Sequence, residues 1–125
     1  MKYKNIEMEQ MIDSLSKFLG RSDIIGYAAA RNTRILRDEA QEYLKKRDEL
    51  VGKYGRPKVD EEGNPTGLIE LRIDSEAFAE YAREIEEFAL IEHEVDLFKL
   101  NYEKAIDRIS GADLLEIEWM FEDGE

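Results

Sequence analysis

The stretch Arg56-Pro57-Lys58-Val59-Asp60-Glu61-Glu62-Gly63-Asn64-Pro65 holds both prolines of the chain and the clearest turn signal in it. On its C-terminal side the apolar period changes from 3.6 to 2, because Ile69, Leu71 and Ile73 alternate with charged residues. This alternation predicts a half-buried strand, and Lys58-Val59 is its predicted hairpin partner across the turn.

Charge changes sign at the same place. Residues 1–58 contain thirteen Lys and Arg against nine Asp and Glu, whereas residues 59–125 contain five against twenty-one. The two halves are therefore self-complementary, and we expect them to attract each other within one chain or between copies.

Upstream of the turn the chain is helical. Met8, Met11, Leu15 and Phe18 lie on one stripe and predict a first helix at 6–19. A second helical stretch, capped by Ser22 or Asp23, runs over 23–54 with a narrow apolar stripe that Arg47 interrupts. Together these stretches predict a long helical hairpin, the arm at 6–54. Because the arm needs cover, we expect it to pack on the rest of the chain or on another subunit, as in a homodimer.

Downstream of the turn we predict a helix over 75–90 and a short C-terminal helix that begins at Ser110. Residues 91–98 fit two patterns, since they alternate cleanly and also continue a heptad; we favour the strand. The fold class is therefore α+β, with the N-terminal helical hairpin followed by a small antiparallel sheet that one or two helices cover. We predict a single domain over 1–125, composed of the arm at 6–54 and a small α+β part at 58–125.

Composition narrows the cellular context. The chain has 125 residues and no cysteine, which excludes disulfides and thiolate metal sites and suits a reducing cytoplasm. No uncharged run approaches the 18 or so residues that a membrane span needs. We expect a soluble cytoplasmic protein without a membrane contact.

Few residues suggest catalysis. His93 is the single histidine and is interpreted as a structural or surface residue, since on an alternating strand it points away from Glu92, Glu94 and Asp96. Those three acids are interpreted as a solvated strand edge and not as a cation site. No serine has a paired base, so we predict no enzyme, no metal and no cofactor.

A cluster of basic residues lies on the predicted arm, at Arg31, Arg34 and Arg37, with Arg47 further along. A spacing of three keeps the first three arginines on one broad face. Because the whole chain is strongly acidic, we do not expect nucleic acid as a partner, and we assign these residues to contacts with acidic protein surfaces. Glu92, Glu94 and Asp96 are the candidate opposite contact surface.

The order of segments resembles a set of small uncharacterised proteins encoded in bacteriophage and prophage genomes. The resemblance rests on Tyr27-Ala28-Ala29-Ala30-Arg31-Asn32, on the run from Arg47-Asp48-Glu49-Leu50 to Gly55, on the turn at 60–65, and on Ala112-Asp113-Leu114-Leu115-Glu116. It carries no catalytic or binding residue over to this chain. What it implies is a phage-derived accessory or assembly factor, in the host cytoplasm or associated with the virion.

The sequence thus predicts a non-enzymatic protein that acts through protein–protein interaction in phage assembly or regulation. The alternative is an acidic inhibitor that imitates DNA and occupies a host nucleic-acid-binding protein. Imitation of a duplex requires a continuous ridge of carboxylates, whereas scattered acids indicate a solvated surface.

Overall fold

The computed structural model describes residues 1–123 and confirms the α+β class. Five α-helices occur within this range: α1 (Asn5–Ser16), α2 (Ile24–Glu39), α3 (Gln41–Tyr54), α4 (Glu76–Ala89) and α5 (Gly111–Glu116). The strands are β1 (Lys2–Lys4), β2 (Arg56–Val59), β3 (Pro65–Glu70), β4 (Glu92–Glu94), β5 (Leu100–Asn101) and β6 (Phe121–Glu122). Short 3-10 turns lie at Tyr102–Lys104 and Glu118–Met120.

The chain forms two compact units. Unit 1 combines Met1–Ala40 with the segment that starts at Glu92, and unit 2 is Gln41–Ile91. These limits do not follow the predicted division into an arm at 6–54 and a second part at 58–125, because α3 belongs to the same unit as the hairpin and α4. The single domain over 1–125 stays a prediction.

Unit 1 has the larger core. Helices α1 and α2 pack against each other, which is the predicted N-terminal hairpin. The side chains that lose all or nearly all their exposure come from both segments of the unit, namely Met8, Leu15, Ile25, Leu36, Ile117 and Met120. The C-terminal segment therefore completes the core that the first two helices begin.

Two small sheets belong to unit 1. Strand β1 pairs antiparallel with β4, with Tyr3 opposite His93, and β5 pairs parallel with β6, with Leu100 opposite Phe121. The β1–β4 pairing joins the two sequence segments of unit 1, whereas β5 and β6 both lie in the later segment.

Unit 2 consists of α3, α4 and the β2–β3 hairpin. Helices α3 and α4 pack together, and the buried side chains of these two helices are Tyr43, Leu50, Ile85 and Ala89. The Asp60 carboxylate accepts hydrogen bonds from the N–H groups of Glu62 and Asn64, both at 2.9 Å. Gly63 follows with a φ of 83°, a left-handed conformation that glycine adopts without strain.

Two features differ from the sequence-based expectation. The helical stretch over 23–54 is interrupted at Ala40, since its apolar stripe is shared between units: Leu36 is buried in unit 1, and Tyr43 and Leu50 are buried in unit 2. This sharing removes the uncovered stripe on which a dimer through the arm was based.

The second difference concerns the sheet. The predicted strand at 91–98 forms only over Glu92–Glu94, and it pairs with β1 instead of joining the hairpin. Lys2–Lys4 is too short to show an alternating pattern, so no local signal indicates that it pairs with β4. Among residues 1–123, no helix combines the length and the apolar character that crossing a membrane requires.

The start of α2 is fixed by charge. Arg21 donates to both carboxylate oxygens of Asp23, at 2.6 and 3.1 Å, while Asp23 caps the helix by accepting from the Gly26 N–H. The hydrogen bonds from Arg21, aided by the Gly26 N–H, lower the pKa of Asp23 from 3.8 to about 2. Because the pKa is lower in the folded state, this carboxylate stabilises the fold above pH 3.8, and the contribution is lost as the pH falls through about 2.

Replacing Asp23 with Asn keeps a capping side chain and removes the charge. We expect Asp23→Asn to lower the free energy of unfolding at neutral pH, and we expect its difference from the wild type to shrink as the pH falls from 3.8 to about 2. Urea unfolding followed by the fluorescence of the single tryptophan, Trp119, measures this difference. The control for the loss of one negative charge is Asp38→Asn on the same helix. An effect of Asp23→Asn on the free energy of unfolding that does not change with pH would contradict the prediction.

A glycine fixes the junction between α3 and β2. A Cβ atom at Gly55 would lie 2.3 Å from Ile69 Cγ2 and 2.6 Å from the Val51 carbonyl oxygen, whereas a Cβ at Gly52, inside α3, meets no atom within 4 Å. We expect Gly55→Ala to cost about 1–3 kcal/mol of stability through this overlap. Gly52→Ala is the matched control and should stabilise by about 0.5–1 kcal/mol, since it favours the helix. Urea unfolding followed by circular dichroism compares the two, and equal effects would contradict the prediction.

Candidate interaction surfaces

Arg31 is engaged within its own unit. Its guanidinium carbon lies 4.9 Å from the centroid of the Phe98 ring, and its Nη1 lies 3.4 Å from the Tyr27 hydroxyl. The rings of Tyr27 and Phe98 meet edge to face at 5.8 Å. Arg31 therefore forms a cation–π contact that holds the segment around Phe98 against α2, and it is not a free docking residue.

Asn32, on the buried side of α2, binds the backbone of the same segment around Phe98. Its Nδ2 donates to the Phe98 carbonyl oxygen at 2.9 Å, and its Oδ1 accepts from the Phe98 N–H at 2.7 Å. Asn32 has no solvent exposure. Sequence reasoning missed this residue, although a polar amide among the apolar positions of a helix was the available signal, since buried amides require partners.

Arg34 and Arg37 are exposed on α2, as Arg31 is. Neither has an ion-pair partner among residues 1–123, so their guanidinium groups can bind an acidic surface. Arg47 is separate from them, because it lies on α3 in unit 2 and pairs with Asp48 at 3.0 Å. The structure thus divides the predicted arginine set into Arg31, which contacts Phe98, an Arg34–Arg37 pair without ion-pair partners among residues 1–123, and Arg47 on α3.

The acidic strand has the predicted alternation from Glu92 to Asp96, but Ile91, which the pattern places on the same side as His93, is 49% exposed. Glu92, Glu94 and Asp96 are exposed, whereas Val95 is buried and His93 is partly buried. In the β1–β4 ladder Lys4 lies opposite Glu92 and Lys2 lies opposite Glu94, so two of the three acids face cations.

His93 points to the other face of this strand. Its Nδ1 lies 3.1 Å from Glu39 Oε1. Within residues 1–123, no group of three or more histidine and carboxylate side chains is placed to hold a metal ion. The arrangement links β4 to the end of α2.

The α4 helix carries the carboxylates that bear on DNA mimicry. Glu76, Glu80, Glu84 and Glu87 follow one another on its outer face. Glu80 pairs with Arg83 at 3.2 Å, and Glu84 pairs with Lys53 of α3 at 3.3 Å. Cations therefore interrupt the row, which is typical of a solvated helix face and does not favour imitation of a duplex.

A cavity of about 490 Å³ lies in unit 2 at the N-terminal end of α4. Its lining includes Arg56 and Arg72, but also Glu70 and Glu76. Because both signs of charge line it in equal number, the cavity selects neither an anion nor a cation.

The β2–β3 hairpin is the most exposed element, since every one of its strand residues faces solvent. Pro57 lies opposite Ile69, and Val59 lies opposite Pro65. Paired residues share a face, and so do positions two apart on a strand, which places these four residues on one side of the ribbon. We call this side the apolar hairpin face: Pro57, Val59, Pro65 and Ile69.

The opposite side of the hairpin is charged. It carries Arg56, Lys58 and Glu70, together with Leu68. Between the two residue pairs the register shifts, because β3 holds more residues than β2, and Gly67 absorbs the excess with a φ of 80°. The hairpin is thus an amphipathic ribbon whose apolar side is open.

Comparisons with family models, with curated proteins and with solved structures find no match to this chain.

The Asn32 contact gives a testable prediction. Asn32→Ala leaves the N–H and C=O of Phe98 without their partner and should cost about 1–3 kcal/mol of stability. Arg31→Ala, the adjacent control, removes only an exposed cation–π contact and should cost about 0.5–1 kcal/mol. Urea unfolding followed by Trp119 fluorescence ranks the two variants, and an Asn32→Ala effect no larger than that of Arg31→Ala would show that the amide pair is not needed.

Proposed function

We propose that this chain is a non-enzymatic protein of phage or prophage origin that acts by protein–protein contact in assembly or regulation. The resemblance of its segment order to phage-encoded proteins supports the context, and with it a place in the host cytoplasm or on the virion. The solvent-exposed β2–β3 hairpin supports action by protein–protein contact.

The apolar hairpin face is the observation that carries this proposal. Val59 is 52% exposed and Ile69 is 55% exposed, although the alternation of Ile69, Leu71 and Ile73 is typical of a strand with one buried side. Contiguous apolar side chains on the surface of a small protein mark interaction sites. The partner is therefore a protein that offers apolar side chains to this face.

A second contact surface lies on α2. Arg34 and Arg37 are exposed and lack ion-pair partners among the described residues, so they suit an acidic segment of a protein partner. Glu92 and Glu94 face lysines of β1, which makes the acidic strand the weaker candidate for the opposite contact.

Site-specific photo-crosslinking in bacterial cells tests the proposal. A benzoylphenylalanine replaces Val59, on the apolar hairpin face, or Leu68, on the opposite side of the same hairpin. Leu68 is a matched control because it is 61% exposed and also apolar. We expect protein adducts at position 59 that are absent or much weaker at position 68. A lack of adducts at position 59, or the same adducts at both, would overturn the proposal.

A further inference from the structure

We infer that a cavity beside α1 binds an arginine side chain of a partner protein. The cavity belongs to unit 1, whereas the apolar hairpin face belongs to unit 2. The inference rests on the proposed function only for the source of the arginine, since that function supplies a protein partner. The binding itself is a separate claim, which an arginine derivative tests directly.

Three elements of unit 1 form the cavity. One wall is a face of α1, whose lining residues follow one another at positions i, i+3, i+4 and i+7 of a helix. They are Glu7, Gln10, Met11 and Ser14. Tyr3 of β1 and Trp119 of the second 3-10 turn complete the lining. We call this space the α1 cavity.

The size of the α1 cavity suits one side chain. Its volume is about 280 Å³. Sites for whole small molecules and cofactors usually enclose about 300–1,000 Å³, so the α1 cavity lies below their range. Met11 is buried and Trp119 is partly exposed, which gives the stem of a long side chain an apolar surface to lie on.

The charge of the lining favours a cation. Within residues 1–123, Glu7 is the single ionised side chain that lines the α1 cavity, and it has no ion-pair partner there. Glu7 Oε1 accepts from the Lys4 N–H at 2.8 Å, which fixes the carboxylate and leaves Oε2 able to accept from a ligand. Burial and the negative charge of Glu7 both raise the pKa of Tyr3, so the phenol stays neutral at pH 7.

Lys99 is the cation that contacts one of the lining residues. It donates to the carbonyl oxygen of Trp119, and its side chain lines a different cavity, together with Tyr3 and Asp96. Lys99 is therefore not among the residues that line the α1 cavity, and it does not neutralise Glu7.

The polar groups of the wall favour a guanidinium over an ammonium group. Within residues 1–123, the side chains of Gln10 and Ser14 make no hydrogen bond, and each offers an acceptor oxygen one or two turns along α1 from Glu7. A guanidinium has five N–H donors in one plane, so it can reach several acceptors together. Its flat face also stacks on aromatic rings, here that of Trp119.

Titration of the full chain with N-acetyl-arginine amide tests the α1 cavity. Trp119 is the only tryptophan, so its indole N–H gives a single signal in a nitrogen-correlated proton NMR spectrum. We expect a saturable shift of this signal. N-acetyl-citrulline amide keeps the shape without the charge, and N-acetyl-lysine amide keeps the charge without the plane, so both should bind more weakly. The absence of a saturable shift, or equal binding of either control compound, would overturn the inference.

Two charge changes on α1 test the role of Glu7. Glu7→Gln keeps an acceptor for the start of the helix and removes the charge, so it should raise the dissociation constant of the arginine compound about three- to tenfold. Asp13→Asn removes the same charge from an exposed residue outside the cavity and should leave the constant within about twofold of wild type. Equal effects of the two variants would contradict the assignment of Glu7.

A third variant adds charge to the same wall. Gln10→Glu places a second carboxylate at an exposed position of the α1 cavity, so it should lower the dissociation constant about three- to tenfold. This gain does not depend on whether Glu7→Gln disturbs the start of α1. Unchanged or weaker binding by Gln10→Glu would overturn the inference.

The arginine titration and the photo-adducts at position 59 separate this inference from the proposed function. Adducts without arginine binding overturn the arginine site and leave the proposed function intact. Arginine binding without adducts supports the site and overturns the proposed function.

Discussion

The two hydrogen bonds between Asn32 and the backbone of Phe98 are the constraint on which unit 1 depends. The unit is assembled from two segments that are separated in the sequence by all of unit 2, so its core forms only when the later segment returns to α2. The entropy of closing so long a loop opposes that return, and specific contacts must offset it. Asn32 fixes the register of the returning backbone, while Tyr27 and Arg31 hold the Phe98 side chain on the outer side of the same helix.

The basic first half and the acidic second half of the sequence form ion pairs within each unit. Lys17 of the basic half pairs with Asp113 at 2.9 Å and also with Glu116, and Lys53 pairs with Glu84. These pairs are exposed, so each contributes little to stability at ordinary ionic strength. Their effect is on specificity, since they favour the approach of the acidic segments to the basic helices over other arrangements of the chain.

In the β2–β3 hairpin, the local sequence pattern and the packing of the whole chain disagree. Its alternation, its turn and its two prolines all favour a two-stranded ribbon with one apolar side, and that ribbon forms. Gly55 lies against Ile69, but Val59 and Ile69 both stay about half exposed. Natural sequences usually satisfy local preferences and packing together, and exceptions are expected at functional sites. This disagreement is the observation behind the proposed contact with a protein.

The sequence by itself determined the elements that depend on near neighbours. The α4 helix at Glu76–Ala89 lies within the predicted 75–90, Ser75 and Asp23 cap their helices, and the alternation around His93 and Val95 predicts which side chains face inward. Caps, turns and periodicity act over a few residues, so their signals are written in the local sequence.

Only the tertiary structure decided how these elements combine. The partner of β4, the interruption at Ala40 and the contact of Arg31 with Phe98 each depend on residues far away in the chain. The spacing of Arg31, Arg34 and Arg37 placed all three on one helix, but it carried no information about Phe98, whose ring Arg31 contacts. Contacts of this kind depend on which distant segments return to pack on one another, and a local pattern contains no record of that choice.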